Sequence, residues 1–372
     1  MVSTAIGAGV FGLLWYTRAL QVATFAAAAS AARSRRKPRI GPAEQAAQWT
    51  KVPHPVSRTR TSSEVALVTY HPDYQEFDPR QALVSLDAAC RLGVGWIRTD
   101  IRWNYLLPDG IRPDTGALNW YRDFLNVLRG YGLKSLAVLS TPPSTVLALP
   151  QQEKIGSWNW FVEIAARELG PLCDAFQLMN ELNNPAYAFL PQKETADALT
   201  RGAAIIRSRV PSAQVAINVT TDLWGWQNYL ERLLHLSGQA VNIVGLDHYP
   251  GTWSVGFSDR WSQIVELVRE VASAPESSPW HGRRLIIMET GYSTNFIGRR
   301  ENSQAEYFEG VLEVARKLKA INRADDPYLG IYELCDENSR AWLDPEAHFG
   351  LMTSDLQPKR AFAVVAEALR SL

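Results

Sequence analysis

The segment Leu285-Ile-Ile-Met-Glu-Thr-Gly-Tyr-Ser293 is a short apolar run that ends on a glutamate, Glu289. An earlier segment, Phe176-Gln-Leu-Met-Asn-Glu-Leu-Asn-Asn-Pro185, has the same form and ends on Glu181. Short apolar runs bounded by turn residues predict buried strands. The positions differ by 289 − 181 = 108 residues, enough for three strand–helix units of the length that recurs in this chain. The spacing therefore predicts that the two glutamates close the fourth and seventh strands.

From Glu64 onward the chain alternates short β-rich runs with segments of helical period. The helical period is clear in Gln81–Leu92 and in Trp261–Ala272, where apolar residues fall on one face. The runs that predict strands are Val65–His71, Gly95–Asp100, Lys134–Ser140, Ala175–Asn180, Gln214–Val219, Asn242–Asp247, Arg284–Glu289 and Tyr328–Glu333.

Eight strand–helix units in series predict an α/β fold, a single (β/α)8 TIM barrel. The alternative is a doubly wound open sheet, which usually carries a glycine-rich phosphate loop after its first strand. Tyr70-His-Pro-Asp-Tyr74 stands at that position and favours the barrel. Two helix starts are also predicted, one at Asp78-Pro79 and one at the capping-box pattern Ser303-Gln-Ala-Glu306.

Charge is distributed unevenly along the chain. Of 38 basic and 38 acidic residues, nine basic and one acidic lie in residues 1–63, which leaves 29 basic and 37 acidic in residues 64–372. A mildly acidic body gives no support to a nucleic-acid partner.

The N-terminal segment differs from the body. Residues 1–32 are apolar and alanine-rich, with Arg18 as an interruption, and predict a signal or membrane-anchor segment. A non-native or unstructured N-terminus is an equal alternative. Residues 33–63 are basic and rich in Pro, Ser and Thr, which predicts a linker. We therefore expect residues 64–372 to be the catalytic domain of a secreted or membrane-anchored extracytoplasmic protein, with membrane association through the N-terminal segment.

Neither the cysteines nor the histidines have the spacing of metal ligands. Cys90, Cys173 and Cys335 are scattered among apolar residues, which predicts packed thiols, with a disulfide as the lesser alternative. The six histidines are also scattered, so a metal-dependent hydrolase barrel is disfavoured and no metal or other cofactor is expected.

Two acids held across a pocket are the minimal apparatus for cleaving a glycosidic bond. From about residue 64 to residue 372 the chain also resembles the clan A glycoside hydrolases, the retaining barrels that include cellulase-, mannanase-, β-xylosidase- and galactanase-type enzymes. The most specific elements are Asn180-Glu181 and the lone Glu289. The weaker elements are Gly95-Trp-Ile-Arg98, Ile243-Val-Gly-Leu-Asp-His-Tyr-Pro250, His348-Phe-Gly-Leu-Met352 and Pro358-Lys359.

The resemblance implies hydrolysis of a β-linked oligo- or polysaccharide, with Glu181 as acid/base and Glu289 as nucleophile. Such a pair is held about 5 Å apart. Arg98 and Tyr249 are expected to donate hydrogen bonds to Glu289, and Asn180 to reach the sugar hydroxyl beside the reacting carbon. A catalytically inactive carbohydrate-binding barrel and a transglycosylase using the same two residues are the alternatives.

Further residues are expected to bind the sugar. Thirteen tryptophans are many for this length, and several follow predicted strands, as expected of indole platforms for sugar faces. The preferred platforms are Trp253 and Trp342, and the other sugar-binding candidates are His248, Asn104 and Glu333.

The sequence also departs from the family pattern in two places. Ser140-Thr-Pro-Pro143 lacks a histidine that cellulase-type members commonly have, and Glu333-Leu-Cys-Asp336 stands where a tryptophan is common. These departures leave the substrate sugar open, and the oligomeric state is likewise not indicated.

Overall fold

The computed structural model describes residues 63–251, 261–295, 300–321, 327–339, 341 and 344–372. Its eight strands are all parallel and form a closed barrel, in which each strand pairs with the next and β8 pairs with β1. This confirms the predicted (β/α)8 barrel. The predicted N-terminal segment 1–32 and all of the linker 33–63 except Ser63 lie outside the described residues.

The strands are β1 Ser63–Thr69, β2 Val94–Arg102, β3 Lys134–Ser140, β4 Ala175–Leu178, β5 Gln214–Thr220, β6 Ile243–Asp247, β7 Arg284–Thr290 and β8 Leu329–Ile331. The helices are α1 Pro79–Leu92, α2 Trp103–Leu106, α3 Thr115–Gly130, α4 Ser144–Leu147, α5 Gln151–Glu168, α6 Gln192–Arg209, α7 Trp226–Ser237, α8 Trp261–Ala272, α9 Glu301–Lys319 and α10 Arg360–Ser371. Short 3₁₀ turns cover Gly170–Leu172, Gly238–Ala240 and Pro345–His348.

The strands are buried on both faces, because the helices cover the outside of the barrel. In β3 every residue except Lys134 is buried, and β4, β6 and β8 are buried throughout. This explains why the strands appear in the sequence as continuous apolar runs rather than as alternating ones.

The two predicted helix starts have different outcomes. Asp78 caps α1 by accepting a hydrogen bond from Arg80 N, and Pro79 is the first helical residue, as predicted. The capping box at Ser303 is wrong, because α9 already begins at Glu301 and Ser303 lies inside the helix.

The three cysteines are all among the described residues and form no disulfide, in agreement with the preferred interpretation. Within the part of the chain that the structure describes, no helix combines the length and apolar character needed to cross a membrane.

Closure of the barrel requires a glycine on β8. A Cβ atom added at Gly330 would lie 1.8 Å from the carbonyl oxygen of Met288 on β7, which is backbone that cannot rotate away. By contrast, a Cβ atom added at Gly310, in α9, would meet nothing within 4 Å.

We predict that Gly330→Ala lowers the free energy of unfolding by at least about 3 kcal/mol, because β7 and β8 must separate to admit the methyl group. The matched change Gly310→Ala should raise it by about 0.5–1 kcal/mol, the usual helix preference for alanine. Chemical denaturation of both variants measures the difference. Equal stability of the two variants would contradict the close approach of the strands.

Candidate active site

Glu181 and Glu289 meet at the C-terminal ends of the barrel strands. Glu289 is the second-last residue of β7, and Glu181 follows β4 by three residues. One carboxylate oxygen from each, together with one from Asp247 at the end of β6, lie within 4.8 Å of one another. The pair is nearly sealed from bulk solvent, since Glu181 is 8% and Glu289 6% exposed.

Glu289 is held by two donors that the sequence predicted. Arg98 Nη1 lies 2.6 Å from Glu289 Oε1, and the Tyr249 hydroxyl donates to Oε2 at 2.6 Å. Both Arg98 and Tyr249 are buried. Charge-assisted and hydroxyl hydrogen bonds of this kind stabilise a carboxylate in its ionised form.

The backbone conformation of the turn after β4 sets the direction of the Glu181 side chain. Met179 has φ +64° and Glu181 has φ +42°, which is left-handed backbone that non-glycine residues rarely adopt. The Glu181 N–H donates to Asn218 Oδ1 at 2.7 Å, and Asn184 Nδ2 donates to Glu181 Oε2 at 2.5 Å. The turn after β4 therefore carries the carboxyl group back toward Glu289.

The two glutamates have different electrostatic settings. Burial, and then the negative charge of Glu289, raise the pKa of Glu181 to about 8, with a further increase from Asp222. Asn184 and Arg98 lower the pKa of Glu181, each by less than burial or Glu289 raises it. Glu181 is therefore protonated at neutral pH, beside a Glu289 that is paired with a guanidinium.

A network of side-chain amides connects the two glutamates. Arg98 donates from Nε to Gln177 Oε1 and from Nη2 to Asn180 Oδ1, both at 2.9 Å. Asn218 Nδ2 also donates to Asn180 Oδ1, at 2.9 Å. The Asn180 oxygen is thus used within the protein, and its NH₂ group has no partner among the described residues, so it is available to donate to a ligand.

Sequence reasoning missed four polar residues that build this site. Gln177, Asn218 and Asp247 each lie within a strand, and Asn184 lies in the loop after β4. A signal for the first three was available, because an isolated polar residue in a buried strand is costly unless it is hydrogen-bonded.

Three close carboxylates are also a pattern found in metal sites. Glu181, Asp247 and Glu289 are the one such group of acidic, His or Cys side chains in the described ranges. However, the Arg98 guanidinium contacts Glu289 directly and supplies the positive charge that a metal ion would otherwise provide. We therefore interpret the group as an acid pair with a third carboxyl group.

The backbone N–H of His248 donates to the Glu289 carbonyl oxygen at 2.9 Å, while its ring contacts Thr221 and Trp261. Its Nδ1 is 2.8 Å from Thr221 Oγ1, and its ring packs edge-on against Trp261 of α8 with centroids 4.5 Å apart. Successive residues along a strand point to opposite sides, so Asp247 and Tyr249 face the site while His248 faces the helix layer. The structure thus places the His248 ring between β6 and α8.

Asn104 and Glu333 lie at strand ends on the same face of the barrel. Asn104 is in α2, directly after β2, and its Oδ1 has no partner in the described part of the chain. Glu333 follows β8 and is buried, and burial together with nearby Glu337 and Asp336 raises its pKa well above the usual range. No hydrogen bond in the described residues joins either side chain to the acid pair.

The tryptophans have several different environments. Trp253 and Trp342, the preferred platforms, lie outside the described residues. Trp103 is fully buried and stacks on Phe161 with centroids 5.1 Å apart, so it belongs to the core. Trp224, in the loop after β5, is 94% exposed and is available to a ligand.

Three further residues that interact with the site were not predicted. Tyr332 follows β8 and packs against Tyr249 with ring centroids 6.1 Å apart. Glu346 has a pKa raised to about 8 by burial and by neighbouring acids that include Glu337, Glu181 and Glu289. Burial of the Tyr187 hydroxyl, and then the charges of Glu346 and Glu181, raise the pKa of Tyr187 well above its usual range, although 51% of the residue is exposed.

No protein-family model matches the sequence, and no curated protein sequence matches it. Solved structures do match. An exo-β-1,4-mannosidase from Opitutaceae bacterium strain TAV5 aligns over 82% of this chain and 59% of its own, at 15% identity and a TM-score of 0.64. A family 39 glycoside hydrolase from Bacteroides cellulosilyticus WH2 aligns over 84% and 64%, at 16% identity and a TM-score of 0.63. A family 1 β-glucosidase from Thermotoga maritima aligns over 77% and 85%, at 13% identity and a TM-score of 0.58.

These matches are glycoside hydrolase barrels, and at such identities the likeness shows the fold. This chain spans less than two thirds of the length of the first two proteins, 59% and 64% respectively. Fold and site together define a (β/α)8 barrel with two facing glutamates at the C-terminal face, where barrel enzymes carry their active sites. The barrel that the resemblance implied is therefore confirmed.

We predict that Glu289→Gln lowers the pKa of Glu181 below its value of about 8, because the change removes the charge that raises it while keeping the side-chain size. A carboxyl-carbon NMR titration of glutamate-labelled protein measures the shift. Glu313→Gln, an exposed change on α9, is the control and should leave the titration unaltered. An unchanged Glu181 titration in Glu289→Gln would contradict the coupling.

Proposed function

We propose that this chain is a retaining O-glycoside hydrolase that cleaves β-linked sugars by double displacement. Glu181 is the acid/base and Glu289 is the nucleophile. The substrate is an oligo- or polysaccharide with a β-linkage, the linkage named for the mannosidase and glucosidases of similar fold.

The observation that carries the proposal is the separation of the two glutamates. Their nearest oxygens lie within 4.8 Å, whereas an inverting pair stands about 6.5–9.5 Å apart to admit a water molecule. A retaining pair stands about 5–5.5 Å apart, so that one carboxylate can attack the sugar directly. The geometry supports retention.

In the first step, a Glu289 oxygen forms a bond to the anomeric carbon while the bond from that carbon to the leaving oxygen breaks. The electron pair of the broken bond goes to the leaving oxygen, which takes the proton of Glu181. The raised pKa of Glu181 supports this role because the proton is still present at neutral pH. The products are a glycosyl ester on Glu289, an ionised Glu181 and a free alcohol.

In the second step, the ionised Glu181 removes a proton from a water molecule that attacks the anomeric carbon. The ester bond breaks, its electron pair returns to Glu289, and the sugar leaves with its original anomeric configuration. Arg98 and Tyr249 support the step by stabilising the departing carboxylate. The NH₂ group of Asn180 supports both steps by donating to the hydroxyl beside the reacting carbon.

Two alternatives use the same pocket. A transglycosylase would send an acceptor sugar, in place of water, through the second step. An inactive binding barrel would need neither the proton on Glu181 nor the cation beside Glu289. No observation in the described residues favours either alternative. Product analysis of the purified protein on aryl β-glycosides and on β-glucan, xylan, mannan and galactan distinguishes all three.

We predict that kcat/KM for substrates with poor leaving groups falls as the pH rises through about 8, because Glu181 must be protonated to assist departure and loses its proton there. For aryl glycosides with strongly activated leaving groups, which depart without a proton, the same alkaline decline should be much weaker. A pH–rate profile with both substrate types provides the check. Equal alkaline declines would contradict the role of Glu181.

We also predict opposite rescue behaviour for the two alanine variants. Glu289→Ala should lose turnover and regain part of it with azide or formate, which would give the α-product by a single inversion. Glu181→Ala should lose about 100- to 10,000-fold on poor leaving groups but little in the first step on activated ones. Product stereochemistry by NMR is the readout. Normal activity of Glu289→Ala would disprove the nucleophile assignment.

A further inference from the structure

Asp247 is the third acid of the site, and the double-displacement mechanism does not use it. It is the last residue of β6 and is 0% exposed, whereas Glu181 and Glu289 retain some exposure. Its carboxyl group nevertheless has an oxygen within 4.8 Å of both glutamates. A substrate therefore reaches the pair before it reaches Asp247, which excludes direct attack or proton transfer to the sugar in this arrangement.

The hydrogen bonds of Asp247 are too few for an ionised carboxylate. Oδ2 accepts from Asn218 Nδ2 at 2.5 Å, and Oδ1 has no partner among the described residues. A buried carboxylate with one amide donor and two acidic neighbours is strongly disfavoured. A neutral acid avoids the larger cost of a buried charge, and its Oδ2 carbonyl is satisfied by the one amide donor, although its Oδ1 hydroxyl also has no partner among the described residues.

The charged and titratable groups around Asp247 do not remove the cost of a negative charge on its carboxyl group. Glu289 on β7 and Glu181 after β4 repel a negative charge there. Arg98 on β2 attracts one, but its nitrogens are hydrogen-bonded to Glu289, Asn180 and Gln177. Tyr249 gives its hydroxyl to Glu289, and the His248 ring lies against Thr221 and Trp261.

The hydrogen bonds of the Asn218 side chain indicate the role of a neutral Asp247. Asn218 Nδ2 donates to Asp247 Oδ2 and to Asn180 Oδ1, while Asn218 Oδ1 accepts from Glu181 N and from Gln177 Nε2 at 2.8 Å. Every hydrogen-bonding position of this carboxamide is therefore used. If the amide were turned over, its oxygen would face two other oxygens, so the carbonyl of Asp247 helps to fix its orientation.

We propose that Asp247 carries a proton throughout the working pH range, and that it is a positioning residue whose carbonyl oxygen orients Asn218 and, through Asn218, Glu181 and Asn180. The proton is on Oδ1, and Oδ2 accepts from Asn218. With Asp247 and Glu181 both neutral, the charges of Arg98 and Glu289 balance in the closed site. Burial and the two glutamates raise the pKa of Asp247 well above its ordinary range, in agreement with this assignment.

The kinetic test rests on the proposed glycosidase function and compares three variants. Asp247→Asn mimics the neutral acid, so the alkaline limb of kcat/KM should stay at the wild-type pH. Asp222→Asn makes the same chemical change at an exposed aspartate whose charge raises the pKa of Glu181. Because that charge is lost, the alkaline limb of kcat/KM in this variant should move to lower pH. Asp247→Ala removes the acceptor for Asn218 and should lower kcat on the order of 100-fold, as misplacement of a catalytic group does. Asp247→Asn keeps an acceptor oxygen and should retain most of the wild-type kcat.

A shift of the alkaline limb to lower pH in Asp247→Asn would overturn the proposal, because it would show that a negative charge had been removed. Equal losses of kcat in the Asn and Ala variants would overturn the positioning role.

An infrared measurement tests the same proposal without any substrate. The difference spectrum of wild type minus Asp247→Asn at neutral pH should contain the carbonyl stretch of a protonated carboxyl group. The contribution of Glu181 cancels because Glu181 holds its proton in both proteins. A carboxylate signal in place of that band would overturn the proposal. Absence of hydrolysis on every substrate would defeat the proposed function and leave this measurement standing, so the two failures are distinguishable.

Discussion

The contact between Arg98 and Glu289 is the interaction on which the rest of the site depends. Arg98 is 2% exposed, and it is the one basic side chain in the described structure that contacts the acid cluster. A buried guanidinium is stable only when its charge and its donors are matched. Glu289 supplies the charge, and Gln177 and Asn180 accept the remaining hydrogen bonds. Strand β2 thereby fixes groups on β4 and β7 at once.

This pairing also determines where protons are held. Arg98 forms an ion pair with one of the three acids, Glu289, and the other two are stable mainly as neutral acids. The same low-dielectric setting that makes Glu181 an acid at neutral pH applies more strongly to the fully buried Asp247. The barrel thus sets two different roles for chemically similar side chains through burial and through distance from Arg98, without any change in the groups themselves.

The sequence could predict the repeated strands and helices. It could not predict side-chain contacts between strands that are distant in sequence, because these depend on the geometry of the closed barrel. Continuous apolar runs revealed all eight strands. Glu289 lies near the end of β7 and Glu181 follows β4, while Arg98, in the middle of β2, and Tyr249, after β6, both contact Glu289. The roles of Asn218 and Asp247 were not predicted because their hydrogen-bond partners are 29 to 41 positions away in sequence and meet only when the sheet closes. The direction of the His248 ring could not be predicted, because the side of β6 that it faces follows from the register of the strand.

The central place of Asn218 has a consequence for producing the protein. Asn218-Val-Thr220 is an acceptor sequence for N-linked glycosylation, although the folded Asn218 is fully buried. A eukaryotic secretory host would meet this tripeptide while the chain is still extended. A glycan on that nitrogen would replace a hydrogen that holds Asn180 or Asp247, and its bulk could not enter the barrel. A bacterial host avoids this modification and leaves the amide free to fold into its place.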